Sequence, residues 1–334
     1  MTEINHFDFS VHAALHGIRI DSFLVRQLRN YTPFRMQRIV RSGAVSVDGQ
    51  PVELAHRVRR DERVTVRLVE PPDKLFDPEP LPLVVLFEDD SLIAVNKPAG
   101  LIAHPVGRRQ TGTLCNAIQH HLDRQTGLRG ILRPGIVHRL DRLTSGVLVV
   151  AKDFLAHKRL SIQFQRNQVR KEYLAVVEGV VEADSGEIDR PIGLLPGGNS
   201  ILMTARPDAR NPKPARTRFE VVQRFERTTL LRAVPLTGRI HQIRVHLSAI
   251  GHPVVGDEFY GPYGEIRAVR FDLPRGDDVA EAASIGSEAG SFRHEVGPET
   301  EPRHLLHASA IAFEHPVTRT AIAVTARLPD GFPA

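Results

Sequence analysis

Cysteine is almost missing from this chain: one residue, Cys115, among 334. A lone cysteine excludes an intrachain disulfide framework and any multi-cysteine zinc or iron–sulfur site, and it suits a reducing cytoplasm. No apolar run approaches the roughly 20 residues of a transmembrane helix. The start, Met1-Thr2-Glu3-Ile4-Asn5, has neither a basic cluster nor an apolar stretch, so no signal peptide is expected. Walker A, Rossmann and H-E-x-x-H patterns are missing too, so no cofactor is expected. A metal-dependent phosphodiesterase using Asp141 with His138 and His104 would need a carboxylate cluster at ligand spacing, and the sequence has none.

What is present fits two domains, at roughly 150 residues each. The net charge is +5 and the pI is near 9.6, a modest basic excess that fits a nucleic-acid partner. Residues 18–68 read as a small α/β module. Ile20, Phe23, Leu24 and Leu28 recur at helical spacing, and Pro33 suits the first turn of a second helix that Gly43 ends. Asp48-Gly49 between valines marks a hairpin, and Val64, Val66 and Leu68 alternate as a strand. A proline-dense stretch, 71–83, follows and reads as an extended connector. The expected domains are therefore 1–70 and 84–334.

The second domain is strand-rich, with helices expected at Leu114–Leu122, Phe154–Phe164 and Arg239–Ile250. The last should bury Ile240, Ile243 and Leu247 and leave Arg244 at the edge of the stripe. Without regular βαβ alternation, the fold class is α+β, built on a mixed, mainly antiparallel sheet flanked by helices. Residues 271–302 carry eight acids and two arginines and read as a disordered acidic insertion.

Two features stand out, the first of which fits an RNA partner. Residues 19–67 hold eleven arginines and five acids, a net of +6, and Arg35, Arg38 and Arg41 fall on neighbouring turns of one helix, where they could neutralise phosphates. The second feature is a set of polar stretches in otherwise apolar surroundings. Asn96-Lys97-Pro98-Ala99-Gly100 follows a strand and, alone, is a turn. His138-Arg139-Leu140-Asp141-Arg142-Leu143-Thr144-Ser145-Gly146 lies between apolar strands, and its arginines would favour an ionised Asp141 or form a structural ion pair. Thr237-Gly238-Arg239-Ile240-His241-Gln242-Ile243-Arg244 continues to Gly256-Asp257.

The segments 17–24 and 36–49 resemble the alpha-L RNA-binding domain of a small-subunit ribosomal protein. They depart from it at Pro33-Phe34 and at Arg60-Asp61-Glu62. The polar stretches, with Lys171–Gly179, Leu306-His307-Ala308 and His315-Pro316, are similar to the blocks of the RluA family of RNA pseudouridine synthases, in the right order. Arg319 stands where that family usually has glycine. The resemblance implies isomerisation of specific uridines in RNA to pseudouridine, large-subunit ribosomal RNA being favoured, after the nucleotide is flipped from its stack. It implies Asp141 as the catalytic carboxylate, Arg244 as its ion-pair partner, and Tyr173 against the uracil as the group that removes the C5 proton. Arg139 would fill the space of the flipped base. His138, Lys97 and Arg239, together with Arg35, Arg38 and Arg41, would contact RNA. No metal, membrane or DNA partner is expected, and the chain should act as a cytoplasmic monomer. The rivals are a non-catalytic RNA-binding assembly factor and a synthase of transfer RNA. A partial echo of the signature, His121-Leu122-Asp123-Arg124-Gln125-Thr126-Gly127, lacks a following apolar strand, so Asp123 is expected in a loop at a helix end.

Overall fold

A computed structural model describes residues 5–29, 31–68, 76–106, 110–126, 132–197, 202–267 and 303–333. The expected acidic insertion at 271–302 and the first part of the connector, 71–75, lie outside the described residues.

The N-terminal module forms as its apolar spacing dictates. Helices Ile20–Gln27 and Pro33–Arg41 turn Ile20, Phe23, Leu24, Met36 and Val40 onto Val45, Val47, Val64 and Val66 of a sheet. Thr32 caps the second helix by accepting the Arg35 amide at 3.2 Å, and Pro33 occupies a position whose N–H would be unpaired anyway. Asp48 and Gly49, at φ 48° and 80°, make the two-residue hairpin. A strand not foreseen, Asn5–Ser10, pairs with Arg63–Leu68 and completes the order Asn5–Ser10, Arg63–Leu68, Val45–Val47, Gln50–Pro51.

The connector is fastened to the second domain from Asp77 on. The Glu79 carboxylate accepts the Gly112 amide at 2.9 and 3.1 Å, just before the helix Leu114–Thr126, and Asn116 donates to the Asp77 carbonyl at 2.8 Å. A carboxylate at a helix N-terminus is favoured by the unpaired amides there.

The second domain is built on one ten-stranded sheet. Eight strands run in the order Ser185–Asp189, Arg216–Arg224, Thr228–Pro235, Arg170–Glu178, Leu306–Glu314, Ser145–Ala151, Leu92–Lys97, Val85–Glu88. Ala321–Thr325 pairs with Leu306–Glu314, and Gly135–Ile136 with Ser145–Ala151. Among the described residues the one parallel strand pairing in this sheet is Leu306–Glu314 with Ser145–Ala151, so the sheet is mixed and mainly antiparallel, as expected.

Ser145–Ala151 is buried along its whole length because helices cover both faces. Val147 and Val149 pack towards helix Phe154–Gln165, which Asp153 caps by accepting the Ala156 amide at 2.8 Å. Leu148 and Val150 pack towards Leu114, Ile118 and Leu122 of the other helix. The strand can begin where it does only because residue 146 is glycine. Its φ is +113°, and a Cβ there would lie 2.2 Å from the Ala308 carbonyl oxygen. Arg319 adopts φ 66°, which accounts for the usual preference for glycine at that position.

Two expectations fail here. The helix expected over Arg239–Ile250 spans only Gln242–Ala249, because His241 takes the left-handed conformation at φ 54°, ψ 18° and breaks the run. Ile240 is therefore not in the core but 46% exposed. Asp123 lies inside the helix Leu114–Thr126, not in a loop after it, and accepts from Gln119 one turn earlier at 2.8 Å. Side chains one turn apart, Gln119 with Asp123 and His121 with Gln125, are hydrogen-bonded along the added turn, which the apolar stripe did not reveal.

Candidate active site

Asp141 sits in the loop that leads from Gly135–Ile136 into Ser145–Ala151, at the start of the doubly covered strand. The loop is pinned from beneath. Lys97, fully buried, donates to the carbonyls of Pro98, Leu101 and Arg142 at 2.8, 2.8 and 3.0 Å. This corrects the expectation that Lys97 contacts RNA: burial keeps it from a phosphate, and its ammonium satisfies loop carbonyls instead. The Gly100 amide also donates to the Arg142 carbonyl at 2.8 Å, and the Thr144 amide closes the turn on the Asp141 carbonyl at 3.1 Å.

Arg244 approaches from the helix Gln242–Ala249. Its side chain is 2% exposed, deeper than the border position expected, and its Nη1 donates to Asp141 Oδ2 at 3.0 Å. The opposite edge of the guanidinium makes a paired contact with Asp257, Nε to Oδ2 at 2.7 Å and Nη2 to Oδ1 at 2.8 Å. Asp257 in turn accepts the amides of Phe259 and Tyr260 at 2.9 and 3.2 Å. The rings of Phe259 and Tyr260 each stand 5.2 Å from the guanidinium carbon. A planar fork held on both edges by carboxylates and by aromatic faces is fixed in direction, which lysine could not reproduce.

Burial opposes ionisation of Asp141, but the neighbouring His241 ring and the Arg244 guanidinium override it and hold the carboxyl below its ordinary range. Burial likewise acts against a charged Arg244, and Asp257 and Asp141 more than compensate, so its pKa is raised. Burial keeps Asp141 from being a plain surface acid, yet its side chain is 19% exposed and so open to a ligand.

Tyr173 lies on Arg170–Glu178 where two apolar clusters meet, and pairs in register with Ala233 and Ala308. Burial and the Asp141 charge push its phenol pKa up. Its ring face and hydroxyl both lie in the strand that carries it past the Asp141 loop. Lys171 lies on the same face of that strand, and burial lowers its pKa.

The other expected contacts divide. Arg139 is exposed beside Asp141. Arg239 is partly buried, its Nε donating to the Pro214 carbonyl at 3.0 Å. His138 is turned inward, contrary to the RNA contact expected of it. Its Nε2 accepts the Val149 amide at 2.9 Å, its ring stacks on Phe164 at 4.6 Å, and burial lowers its pKa to about 3. Arg38 and Arg41 are exposed on the N-terminal helix, and Arg35 lies over the Tyr31 ring at 5.1 Å.

Sequence reading assigned no role to four residues. They are Asp257, His241, Tyr260 and His304, whose Nε2 lies 2.8 Å from Thr144 Oγ1. The first two stood in quoted stretches, but the fold that brings them to Arg244 and Asp141 has no linear signal. Among the described residues no three His, Cys, Asp or Glu side chains are grouped as a metal site requires. Cys115 is buried, its thiol pushed up to about 12.

An α+β domain with a recessed, ion-paired carboxylate, joined to a basic module, defines a class of RNA-acting enzyme, and comparison with known proteins narrows it. Residues 91–249 match the RNA pseudouridylate synthase family and residues 18–64 match the S4 domain. An uncharacterised RNA pseudouridine synthase of Bacillus subtilis is 34% identical over 98% of this chain and 96% of its own length. Ribosomal large subunit pseudouridine synthase D of Nitrosomonas europaea is 36% identical over 99% of this chain and 87% of its own. The structure of human RNA pseudouridylate synthase domain containing 4 superposes with a TM-score of 0.54 at 26% identity, covering 75% of this chain and 90% of that one. The chain belongs to the RNA pseudouridine synthases of the RluA family, isomerases that act on RNA, and carries an N-terminal S4 domain.

Proposed function

We propose that this enzyme isomerises uridines of large-subunit ribosomal RNA, with Asp141 as the catalytic carboxylate acting on a flipped-out nucleotide. The observation that carries the reading is the Asp141–Arg244–Asp257 chain: a carboxylate recessed in a loop, kept ionised by a guanidinium that is itself held from behind. The reaction breaks the N-glycosidic bond, turns the uracil and rejoins it through C5, which then loses its proton, with Tyr173 the candidate to take it, while N1 gains one. Asp141 serves either by attacking the ribose or by taking a ribose proton, and both routes need the charged form. A base stacked in a duplex cannot reach such a recess, so it must leave its stack, and exposed Arg139 is suited to filling the gap with its guanidinium plane. Tyr173 offers a ring face to the uracil. Arg35, Arg38 and Arg41 add phosphate contacts that fix register without carrying chemistry.

The choice of ribosomal RNA is supported by the basic S4 domain and by the large-subunit relative named above. Incubating the enzyme separately with large-subunit ribosomal RNA and transfer RNA transcripts, followed by carbodiimide labelling and primer extension, tests it. New stops are expected in the ribosomal transcript. Stops in transfer RNA alone would contradict the assignment.

A further inference from the structure

His241 is the residue just before the Arg244 helix, and it takes a left-handed backbone conformation that is uncommon outside glycine. That conformation turns the imidazole inwards, where it is buried against the Phe259 ring. Nδ1 lies 2.8 Å from the Tyr260 hydroxyl, while Nε2 lies 3.9 Å from Asp141 Oδ2. The Tyr260 oxygen also accepts the Met203 amide at 3.2 Å. An amide can only donate, and among the described residues Nδ1 is the one acceptor hydrogen-bonded to that hydroxyl, so the hydroxyl hydrogen points at Nδ1. An imidazole that accepts at Nδ1 carries its proton on Nε2, the nitrogen that faces Asp141. Arg244 reaches that same oxygen, Oδ2, and the described residues place no hydrogen bond on Oδ1.

We propose that Tyr260 and His241 form a positioning pair that fixes the Nε2–H tautomer towards Oδ2 of Asp141, so that Oδ1 is the oxygen that meets the ribose. This rests on Asp141 being the catalytic carboxylate. The 3.9 Å separation closes to a hydrogen bond when RNA fills the site, as catalytic contacts commonly tighten in the bound complex. His241 does not touch the reacting atoms. It orients the group that does.

Two measurements test the pair. In protein labelled with nitrogen-15 at histidine, long-range proton–nitrogen correlation at pH 7.5 should show His241 with hydrogen on Nε2 and a bare Nδ1. The opposite tautomer or an imidazolium would overturn the proposal, and this readout needs no variant to fold beyond the one used for assignment. In single-turnover assays, His241→Asn keeps a residue that tolerates the left-handed backbone but removes the N–H at the Nε2 position. The rate should fall about 30-fold with RNA affinity within about twofold, and His241→Gln, which can place an N–H there, should recover part of the loss. Tyr260→Phe should cost about fivefold alone and almost nothing further in the His241→Asn background. Additive losses, or a loss of affinity in place of rate, would overturn the proposal. If Asp141→Asn remained active, the catalytic reading would fall, whereas the tautomer result would stand on its own.

Discussion

The chain writes nearly the same phrase twice. His138-Arg139-Leu140-Asp141-Arg142-Leu143-Thr144 and His121-Leu122-Asp123-Arg124-Gln125-Thr126 each set an aspartate beside an arginine and shortly before a threonine. The first becomes a loop feeding a strand buried on both faces, and the second becomes the last turns of a helix. Asp123 is met by Gln119 of its own helix, a neighbour the helical repeat supplies anywhere. Asp141 is met by Arg244, 103 residues away. The setting of an aspartate is thus decided by what the tertiary fold aims at it, not by its adjacent residues. The adjacent arginines named by the sequence, Arg139 and Arg142, are not the cations bonded to it.

The comparison breaks hardest if Arg244 can be lost without consequence. Arg244→Gln should lower single-turnover pseudouridine formation by about 10³, or ~4 kcal/mol. It also leaves Asp257 buried without its partner, at a cost of roughly 3–5 kcal/mol, so thermal unfolding should move down by about 10 °C. A variant within tenfold of the parent rate would place the working cation elsewhere. Next, Gly146→Ala would drive a Cβ into the Ala308 carbonyl in a backbone conformation alanine avoids. A stability loss of about 3 kcal/mol or more is expected in chemical denaturation, because the strand bearing the Asp141 loop must shift.

A subtler effect separates the two regions by pH. His304, against Thr144, is buried, which lowers its pKa to about 3. The unfolded chain therefore binds a proton below about pH 6.5 that the folded chain refuses, and stability falls as pH drops from there towards 3. The slope from this group approaches ~1.4 kcal/mol per pH unit. His304→Gln keeps a hydrogen-bonding group near Thr144 and cannot charge, so its stability curve from pH 6.5 to 4.5 should be flatter than the parent's. An unchanged slope would mean that His304 is already protonated in the fold. Asp141 acts differently: its pKa is depressed, so its stabilising contact is complete above the unfolded value near 3.9 and is lost only as pH falls through the folded one.

The smallest effect on chemistry should come from the N-terminal helix. Replacing Arg35, Arg38 and Arg41 together by Gln should weaken RNA binding and make its salt dependence shallower by about two in log–log slope. The rate at saturating RNA should stay within about twofold. A steep loss of that rate would mean the S4 domain takes part in the chemistry.

Much of this was legible in the sequence, for local reasons. Pro33 in the first turn of a helix and Asp48-Gly49 as a hairpin follow from backbone rules that act over a few residues. The α+β class followed from strand density. What sequence could not give were the contacts that bring distant residues together. Asp257 lies 13 residues beyond Arg244 and across a turn, and His304 lies 160 from Thr144. Lys97 reads as a cation for phosphate because sequence reports charge and not burial. The small sheet of Ile192–Leu194, Met203–Thr204 and Arg210–Lys213 went unseen because strands of two to four residues leave no periodic signal. Yet it supplies the Met203 amide that orients Tyr260.

The account stands or falls on the two aspartates measured side by side. Asp141→Asn and Asp123→Asn should be compared with the parent in single-turnover formation of pseudouridine on large-subunit ribosomal RNA, with RNA affinity recorded in parallel. Asparagine keeps the shape of each side chain and removes its charge. The expected result is no detectable product from Asp141→Asn, near-parent product from Asp123→Asn, and RNA affinity within about threefold for both, since binding rests mainly on phosphate contacts elsewhere. Product formation by Asp141→Asn at even about a tenth of the parent rate, a loss of only ~1.4 kcal/mol, would contradict the assignment of Asp141 as the catalytic carboxylate.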